Sequence, residues 1–378
     1  MNTQVDLQYM QLALDQALLA VGVSEPNPRV GCVLTDATGR EIGRGHTQPA
    51  GGAHAEVMAL RDAQARGNPT SDATAYVTLE PCSHIGRTGP CCDALVAAGV
   101  RRVVASSADP NPLVAGRGFE RLRAAGVAVD IGPGAGPARE LNLGFFSRMV
   151  RKTPWVRLKA AASLDGKTAL DNGASKWITS DLARADGHTW RARAGAILTG
   201  IGTVRDDNPR LDVRLVDKPS GREWQPALAV VDSRLDTPLD ANLFMAGRPL
   251  YIYAALRNDA KAQALAARGA TVIYLPGSAP DQESKVDLKA MLADLARREV
   301  NELHVEAGHK LNGSLLREGL VDELLVYLAP KLIGQGRGLA NFGPLNTLED
   351  AIALEFTSHT MVGSDLRIVA RIPGRDRF

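Results

Sequence analysis

The chain has 378 residues, 45% of them apolar and 23% charged, with a formal net charge of +2. That length suits two globular domains, and that balance excludes a disordered or fibrous chain. Lys and Arg are scattered and aromatic residues make up only 4%, which excludes the dense basic, aromatic-lined face of a nucleic-acid partner and leaves small substrates as the expectation.

Residues 1–23 are amphipathic and lack the basic start and continuous apolar stretch of an export signal. A cytoplasmic location is therefore expected. A helical period over Gln8 to Ala20 gives way at Glu25-Pro26-Asn27-Pro28 to a strand, Val30 to Leu34, that turns at Asp36 to Gly39 as a hairpin. A helix from Ala53 to Arg66, a strand at Ala75 to Leu79, a helix from Cys91 to Ala98 and a strand at Val103 to Ser106 follow. A helix near Phe119 to Ala125 and a strand at Val127 to Ile131 complete an alternation that predicts an α/β domain. After the glycine-rich stretch 131–137 an amphipathic helix carries Phe145 and Phe146, and the domains are divided as 1–150 and 151–378.

From Trp155 the alternation restarts, with strands at Val156 to Ala161, Ala196 to Thr199, Ala227 to Val231, Leu250 to Tyr253, Thr271 to Tyr274 and Leu303 to Glu306. The tail from Glu323 to Ile372 is strand-like with little helix, so the second sheet is expected to end in antiparallel strands. No apolar run approaches the roughly 20 residues that cross a bilayer, so no membrane partner is expected.

All four cysteines, Cys32, Cys82, Cys91 and Cys92, lie in the first quarter of the chain. Clustered thiols in a chain of this kind point to metal rather than to a disulfide scaffold. His54-Ala55-Glu56 opens a helix and Pro81-Cys82 follows a strand, the arrangement of the H-x-E and P-C-x-x-C elements of zinc deaminases. Ile85 stands where a strict second cysteine belongs, so the third ligand comes from Cys91, Cys92 or His84. Cys91, just after Pro90, is favoured because the first helical turn stabilises a thiolate through its free amides and dipole. A catalytic zinc takes three protein ligands and keeps one position for water. Glu56 stands two residues from His54, placed to move that water's protons.

Pro26-Asn-Pro-Arg-Val-Gly31, His54-Ala-Glu56 and the segment from Glu80 to Cys91 resemble the bifunctional riboflavin-biosynthesis deaminase-reductase family. Lys159-Ala-Ala-Ala-Ser-Leu-Asp-Gly166, Ser175-Lys-Trp-Ile-Thr-Ser180 and Val305-Glu-Ala-Gly308 look like its reductase motifs, so the resemblance spans nearly the whole chain. It implies a cytidine-deaminase-like N-terminal domain followed by a dihydrofolate-reductase-like C-terminal domain, both α/β. It also implies zinc and NADPH as cofactors, a phosphorylated pyrimidine as substrate, and deamination followed by reduction of a ribosyl chain to ribityl. A homo-oligomer is expected.

By the same resemblance, zinc is held by His54, Cys82 and Cys91, with Glu56 as proton shuttle, and the deaminase pocket contains Asn27, His46, His84, Arg87 and Thr88. Gly89 departs from the family's second proline there. The implied reductase substrate contacts are Ser175, Arg191, Leu211, Arg214 and Glu306, and the implied NADPH contacts are Ala161, Trp177, Thr203, Asp207, Ser233 and Gly308. Without the resemblance this half is less explicit. It has no G-x-G-x-x-G, only a strand-to-helix turn near Gly308 and arginines of the kind that fork onto phosphate.

Overall fold

The computed structural model describes residues 3–84, 89–112, 115–215, 224–278 and 284–378. The chain divides into two compact units, the first made mainly by residues up to Lys152 and the second beginning at Thr153.

The first unit runs α1 (Thr3–Leu18), β1 (Gly31–Thr35), β2 (Glu41–His46), α2 (Ala55–Ala65), β3 (Thr74–Val77), α3 (Cys91–Ala97), β4 (Arg102–Ala105), α4 (Arg117–Ala124), β5 (Ala128–Ile131), α5 (Ala135–Leu141) and α6 (Leu143–Arg151). Its sheet has the order β2-β1-β3-β4-β5. β1 is antiparallel to both neighbours, and β3, β4 and β5 run parallel. Alternation along the strands sends Val33, Tyr76 and Val104 against Met10 and Ala13 of α1. Cys32, Leu34, Val77 and Val103 face the other way, into a core with Ala59, Leu95 and Leu122 of α2, α3 and α4.

Glycines set how closely these layers approach. A Cβ at Gly31 would lie 1.9 Å from the Ala13 carbonyl oxygen, and one at Gly45 would lie 2.5 Å from the Ala59 amide nitrogen. Helix α2 thus rests directly on the backbone of β2, which fixes where its N-terminus points. The sequence pattern marks only a glycine-rich turn before α6. The structure starts α5 inside that stretch, released from Gly134 at φ 73°.

The second unit contains β6 (Trp155–Ser163), β7 (Lys167–Ala169), α7 (Asp181–Arg193), β8 (Ala196–Gly200), α8 (Ile201–Asp207), β9 (Ala227–Val231), β10 (Leu250–Ala254), α9 (Asp259–Ala267), β11 (Ala270–Tyr274), α10 (Leu288–Arg297), β12 (Glu302–Val305), α11 (His309–Arg317), β13 (Glu323–Ala329), β14 (Arg337–Gly338), β15 (Glu355–Val362) and β16 (Asp365–Arg371). Nine strands form a sheet in the order β11-β10-β9-β8-β12-β6-β13-β16-β15. It is parallel from β11 through β13. β16 and β15 close it as antiparallel strands, while β13, part of the strand-like tail, lies parallel to β6.

One sheet face packs Val156, Leu198, Leu303 and Val305 against Met291, Leu295 and Leu315 of α10 and α11. The opposite face is apolar at its β8–β10 side, where Ile197, Leu228 and Ile252 meet Val204 and Leu265. On β12, β6 and β13 that face instead carries Glu302, His304, Arg157 and Glu323, all buried. Arg157 pairs with Glu302 at 2.8 Å and Glu323 at 2.6 Å, and Glu323 pairs with Arg371 at 3.1 Å. The charges are thus satisfied from strand to strand, the condition under which such groups tolerate burial.

Candidate active sites

In the first unit, the loop between β2 and α2 folds back through the bond from the Gln48 amide to the Ala53 carbonyl, which brings His54 to the N-cap of α2 in an extended conformation. Glu56 follows in the first turn and is 3% exposed. Cys82 lies just beyond β3. Pro90 caps α3, so Cys91 is that helix's first residue, and its amide donates to the Cys82 sulfur at 3.4 Å. His54 Nδ1 is 3.5 Å from Cys82 Sγ and 3.4 Å from Cys91 Sγ.

These separations fit zinc. With metal–sulfur bonds of about 2.3 Å and metal–nitrogen bonds of about 2.0–2.1 Å, tetrahedral angles put S and N ligands about 3.5 Å apart. His54, Cys82 and Cys91 have ligand atoms all within 4.8 Å of one another, the one such group among the described residues. One imidazole with two thiolates is also the donor set of the zinc deaminases. Cys92 instead packs into the core and donates to the Pro81 carbonyl at 3.1 Å, and His84 is exposed outside the cluster.

The electrostatics follow from crowding. The Cys91 thiol and His54 hold the Cys82 thiol down to about 4. Burial, with the Cys82 charge, pushes Glu56 up to about 7. Asn27 is half-buried in the loop after α1, and His46, at the end of β2, is half-buried with its pKa lowered by burial. Arg87 and Thr88 lie outside the described residues.

Two acidic residues beside the cluster have no role assigned to them by the sequence motifs. Glu80, 4% exposed, accepts the amides of Asp109 (3.0 Å), Gly116 (2.9 Å) and Gly118 (2.8 Å). It thereby ties the turn at Asp109-Pro110-Asn111-Pro112 and the start of α4 to the strand end that carries Cys82. Burial, with Glu80 adding to it, pushes Asp109 up to about 7. An acid directly before Pro81-Cys82 and the repeated Pro of the later turn are the signals in the sequence.

In the second unit, the carboxyl ends of β6, β8, β9 and β12 open into one cleft of about 1600 Å³. β12 lies between β8 and β6, so successive connections leave this point in opposite directions, the place where open α/β sheets bind ligands. Ser175, Arg191, Leu211, Arg214 and Glu306 line this cleft, as do Ala161, Trp177, Thr203, Asp207, Ser233 and Gly308. The sequence positions are far apart, and the parallel strand ends bring them together.

Glu306, just past β12, meets both Nε and Nη2 of Arg191, the latter at 2.9 Å, and Lys159 Nζ at 3.8 Å. Against the effect of burial, Arg191 and Lys159 hold its carboxyl well below the usual range. The cleft suits a dinucleotide. Gly308 caps α11 without a side chain over its free amides, and the Asn312 Oδ1, buried beside it, has no donor among the described residues. Trp177 is 64% exposed, with the Arg184 guanidinium 4.4 Å above its ring.

A family model described as the cytidine and deoxycytidylate deaminase zinc-binding region matches residues 3–107, and one described as the RibD C-terminal domain matches residues 154–368. The chain is 43% identical to the riboflavin biosynthesis protein RibD of Escherichia coli, over 96% of this chain and 98% of that protein. It is 39% identical to RibD of Aquifex aeolicus, over 97% and 99%. Its fold is similar to RibD of Acinetobacter baumannii, with a TM-score of 0.88, 38% identity and coverage of 98% and 99%. It is also similar to a Thermotoga maritima protein described as a diaminohydroxyphosphoribosylaminopyrimidine deaminase/5-amino-6-(5-phosphoribosylamino)uracil reductase, with a TM-score of 0.85, 28% identity and coverage of 98% and 100%. No described helix is long and apolar enough to cross a membrane. With a cytidine-deaminase-like unit carrying the His-Cys-Cys cluster and a dihydrofolate-reductase-like unit carrying the cleft, the chain belongs to the RibD family of bifunctional deaminase-reductases of riboflavin biosynthesis.

Proposed function

We propose that the first unit, residues 1–150, hydrolyses the exocyclic amine of 2,5-diamino-6-(5-phosphoribosylamino)pyrimidin-4(3H)-one. The second, residues 151–378, uses NADPH to reduce the ribosyl chain of 5-amino-6-(5-phosphoribosylamino)uracil to ribityl. The observation that carries the first step is the juxtaposition of His54, Cys82 and Cys91 with the buried Glu56. His54, Cys82 and Cys91 would hold zinc, which when bound would supply a water acidified to near neutrality. Glu56 would take one proton from the attacking water and deliver it to the ring nitrogen, then carry the proton of the hydroxyl left on the amidine carbon to the departing amine. Ammonia leaves and a ring carbonyl remains. Asn27, His46, His84, Arg87 and Thr88 orient the pyrimidine and its phosphoribosyl arm.

NADPH bound in the cleft would supply a hydride, and reduction of the ring-opened imine at the sugar C1 would be completed by a proton at its nitrogen. Ser175, Arg191 and Arg214 hold the 5-phosphate, while Leu211 and Glu306 bound the ribosyl chain. Ala161, Trp177, Thr203, Asp207, Ser233 and Gly308 would seat the dinucleotide, and the amides that open α11 offer donors for its diphosphate. Fixing the sugar against the nicotinamide is the protein's main task in this step.

The test is ammonia release from the diaminopyrimidine phosphate by wild type and Glu56→Gln, followed by NADPH addition. Wild type should release ammonia without NADPH and then oxidise NADPH. Glu56→Gln should lose about a thousandfold in ammonia release, keep its zinc by elemental analysis, and still oxidise NADPH when given the uracil compound. Unchanged ammonia release in that variant overturns the reading. A homo-oligomer and a cytoplasmic location belong to the same proposal. The four free cysteines suit a reducing compartment, and light scattering measures the assembly.

A further inference from the structure

The segment from Asn208 to Arg214 is shaped by more constraints than a surface loop requires. Asn208 and Leu211 both take left-handed conformations, at φ 42° and 49°, and neither is a glycine. Asn242 clasps Asn208, its amide donating to Oδ1 at 2.8 Å and its Nδ2 to the Asn208 carbonyl at 3.0 Å. Arg248, 6% exposed, donates Nη1 to the carbonyls of Arg210 (3.0 Å) and Leu211 (2.9 Å). The Gln225 side chain bonds both backbone groups of Val213, at 2.7 and 2.9 Å.

At the centre stands Asp212, 2% exposed. Its Oδ2 is 3.0 Å from Arg210 Nη2, its Oδ1 accepts from Arg214 Nη1, and its backbone carbonyl accepts from Arg191 Nη1 at 3.0 Å. A single residue thus touches three guanidiniums, and it separates two of them with a carboxylate. Arg210 and Arg214 each spend only one edge on Asp212. Their side chains remain 59% and 49% exposed, and both line the cleft. Arginines outnumber carboxylates here, so the site retains positive charge for an anion.

We propose that Arg210 is a further phosphate-binding guanidinium of the reductase cleft, acting with Arg214, and that Asp212 is the positioning residue that spaces the two. The proposal rests on the reading that this cleft takes a substrate with a terminal 5-phosphate. The strained loop and the buried Arg248 beneath it form the arginine pair before the ligand arrives, which spares the cost of ordering two long side chains on binding.

The test uses the full-length protein with NADPH and 5-amino-6-(5-phosphoribosylamino)uracil. Arg210→Gln should raise KM for the pyrimidine phosphate about fivefold, as expected for a half-exposed charge. It should leave kcat and KM for NADPH within about twofold of wild type. Arg210→Lys should recover part of the loss, since it keeps the charge without the fork. In an Asp212→Asn background the further loss from Arg210→Gln should shrink below about twofold, because Arg210 is no longer held in place. An unchanged KM for the pyrimidine phosphate, a rise in KM for NADPH instead, or an undiminished loss in the Asp212→Asn background overturns the assignment. Thermal stabilisation by inorganic phosphate is read in parallel and needs no turnover. If wild type does not oxidise NADPH with this substrate, the substrate reading fails, while loss of phosphate stabilisation in Arg210→Gln still supports the anion site and equal stabilisation of both proteins refutes it.

Discussion

Arg191 on α7 clasps both carboxylate oxygens of Glu306, the residue that leaves β12 for the cleft. The pair is mostly buried, with side chains 14% and 12% exposed, and Lys159 adds a second cation to the same carboxylate. The arginine is therefore oriented by the protein's own carboxylate, and Arg191 and Lys159 keep that carboxylate ionised.

Glu306→Gln tests that arrangement. It leaves two partly buried cations without their counter-charge, for which a loss of about 2–3 kcal/mol is expected after allowance for residual solvent. All four tryptophans, Trp155, Trp177, Trp190 and Trp224, belong to the second unit. Urea unfolding followed by tryptophan emission therefore reads this unit alone. Stability within about 0.5 kcal/mol of wild type would show that the pair contributes nothing to the fold.

Cys82→Ser separates the two activities. A serine hydroxyl is a poor substitute for a thiolate toward zinc, so metal content and ammonia release should both fall to near background. Each unit has its own core, so NADPH oxidation with the uracil substrate should stay within about twofold of wild type. Zinc retained at wild-type level would remove Cys82 from the ligand set.

The first of these sites was legible and the second was not, for a physical reason. His54 and Glu56 share a helical turn, and Cys82 and Cys91 flank one loop, so the chemistry is written in short spacings. The cleft residues come from the ends of several strands, and only likeness to a known family could collect them. The strand ladder was hidden because Arg157, Glu302 and Glu323 alternate with apolar neighbours, the pattern of a strand with one solvated face. Helix α7 covers that face and the charges satisfy one another. Asp212 and Arg248 carry no motif at all, since their role exists only once the loop has its left-handed turns.

His188 gives the second unit an acid-sensitive element. Burial, then the charges of Arg191 and Arg214, push its pKa down to about 4 from 6.5, against the opposing pull of Glu306 and Asp212. A depressed pKa in a histidine means that the fold keeps the neutral ring. Its contribution is complete above about pH 6.5 and is lost as pH falls toward 4. The Tm advantage of wild type over His188→Gln should therefore shrink steadily from pH 7 to pH 4.5. A constant difference across that range would assign the acid loss to other groups.

Gly45→Ala probes how packing places the deaminase chemistry. The new Cβ would lie 2.5 Å from the Ala59 amide nitrogen and 2.5 Å from the Met58 Cβ, a clash that a shift of α2 would relieve. That helix carries His54 at its cap and Glu56 in its first turn. A displacement of about 1 Å at reacting groups costs on the order of a hundredfold in rate. Ammonia release should drop by one to two orders of magnitude on that basis, with reductase turnover unaffected. Full deaminase activity in a folded variant would mean that β2 gives way rather than α2.

The ladder under α7 makes the last prediction, because its members are not equivalent. Arg157 lies between two buried carboxylates, Glu302 and Glu323, and the Trp190 ring lies 4.5 Å from its guanidinium carbon. Glu302 also pairs with Arg193 at 2.8 Å, while Arg371 reaches Asp376 at 3.0 Å as well as Glu323. Removing the cation alone in Arg157→Met leaves two buried carboxylates facing each other across β6, for which a loss of about 3–5 kcal/mol in the tryptophan-detected transition is expected. Adding Glu323→Met should restore most of it, since Glu302 keeps Arg193, Arg371 keeps Asp376, and two apolar side chains fill the vacated space. If the double variant is no more stable than Arg157→Met, the loss comes from packing against Trp190 and not from uncompensated charge.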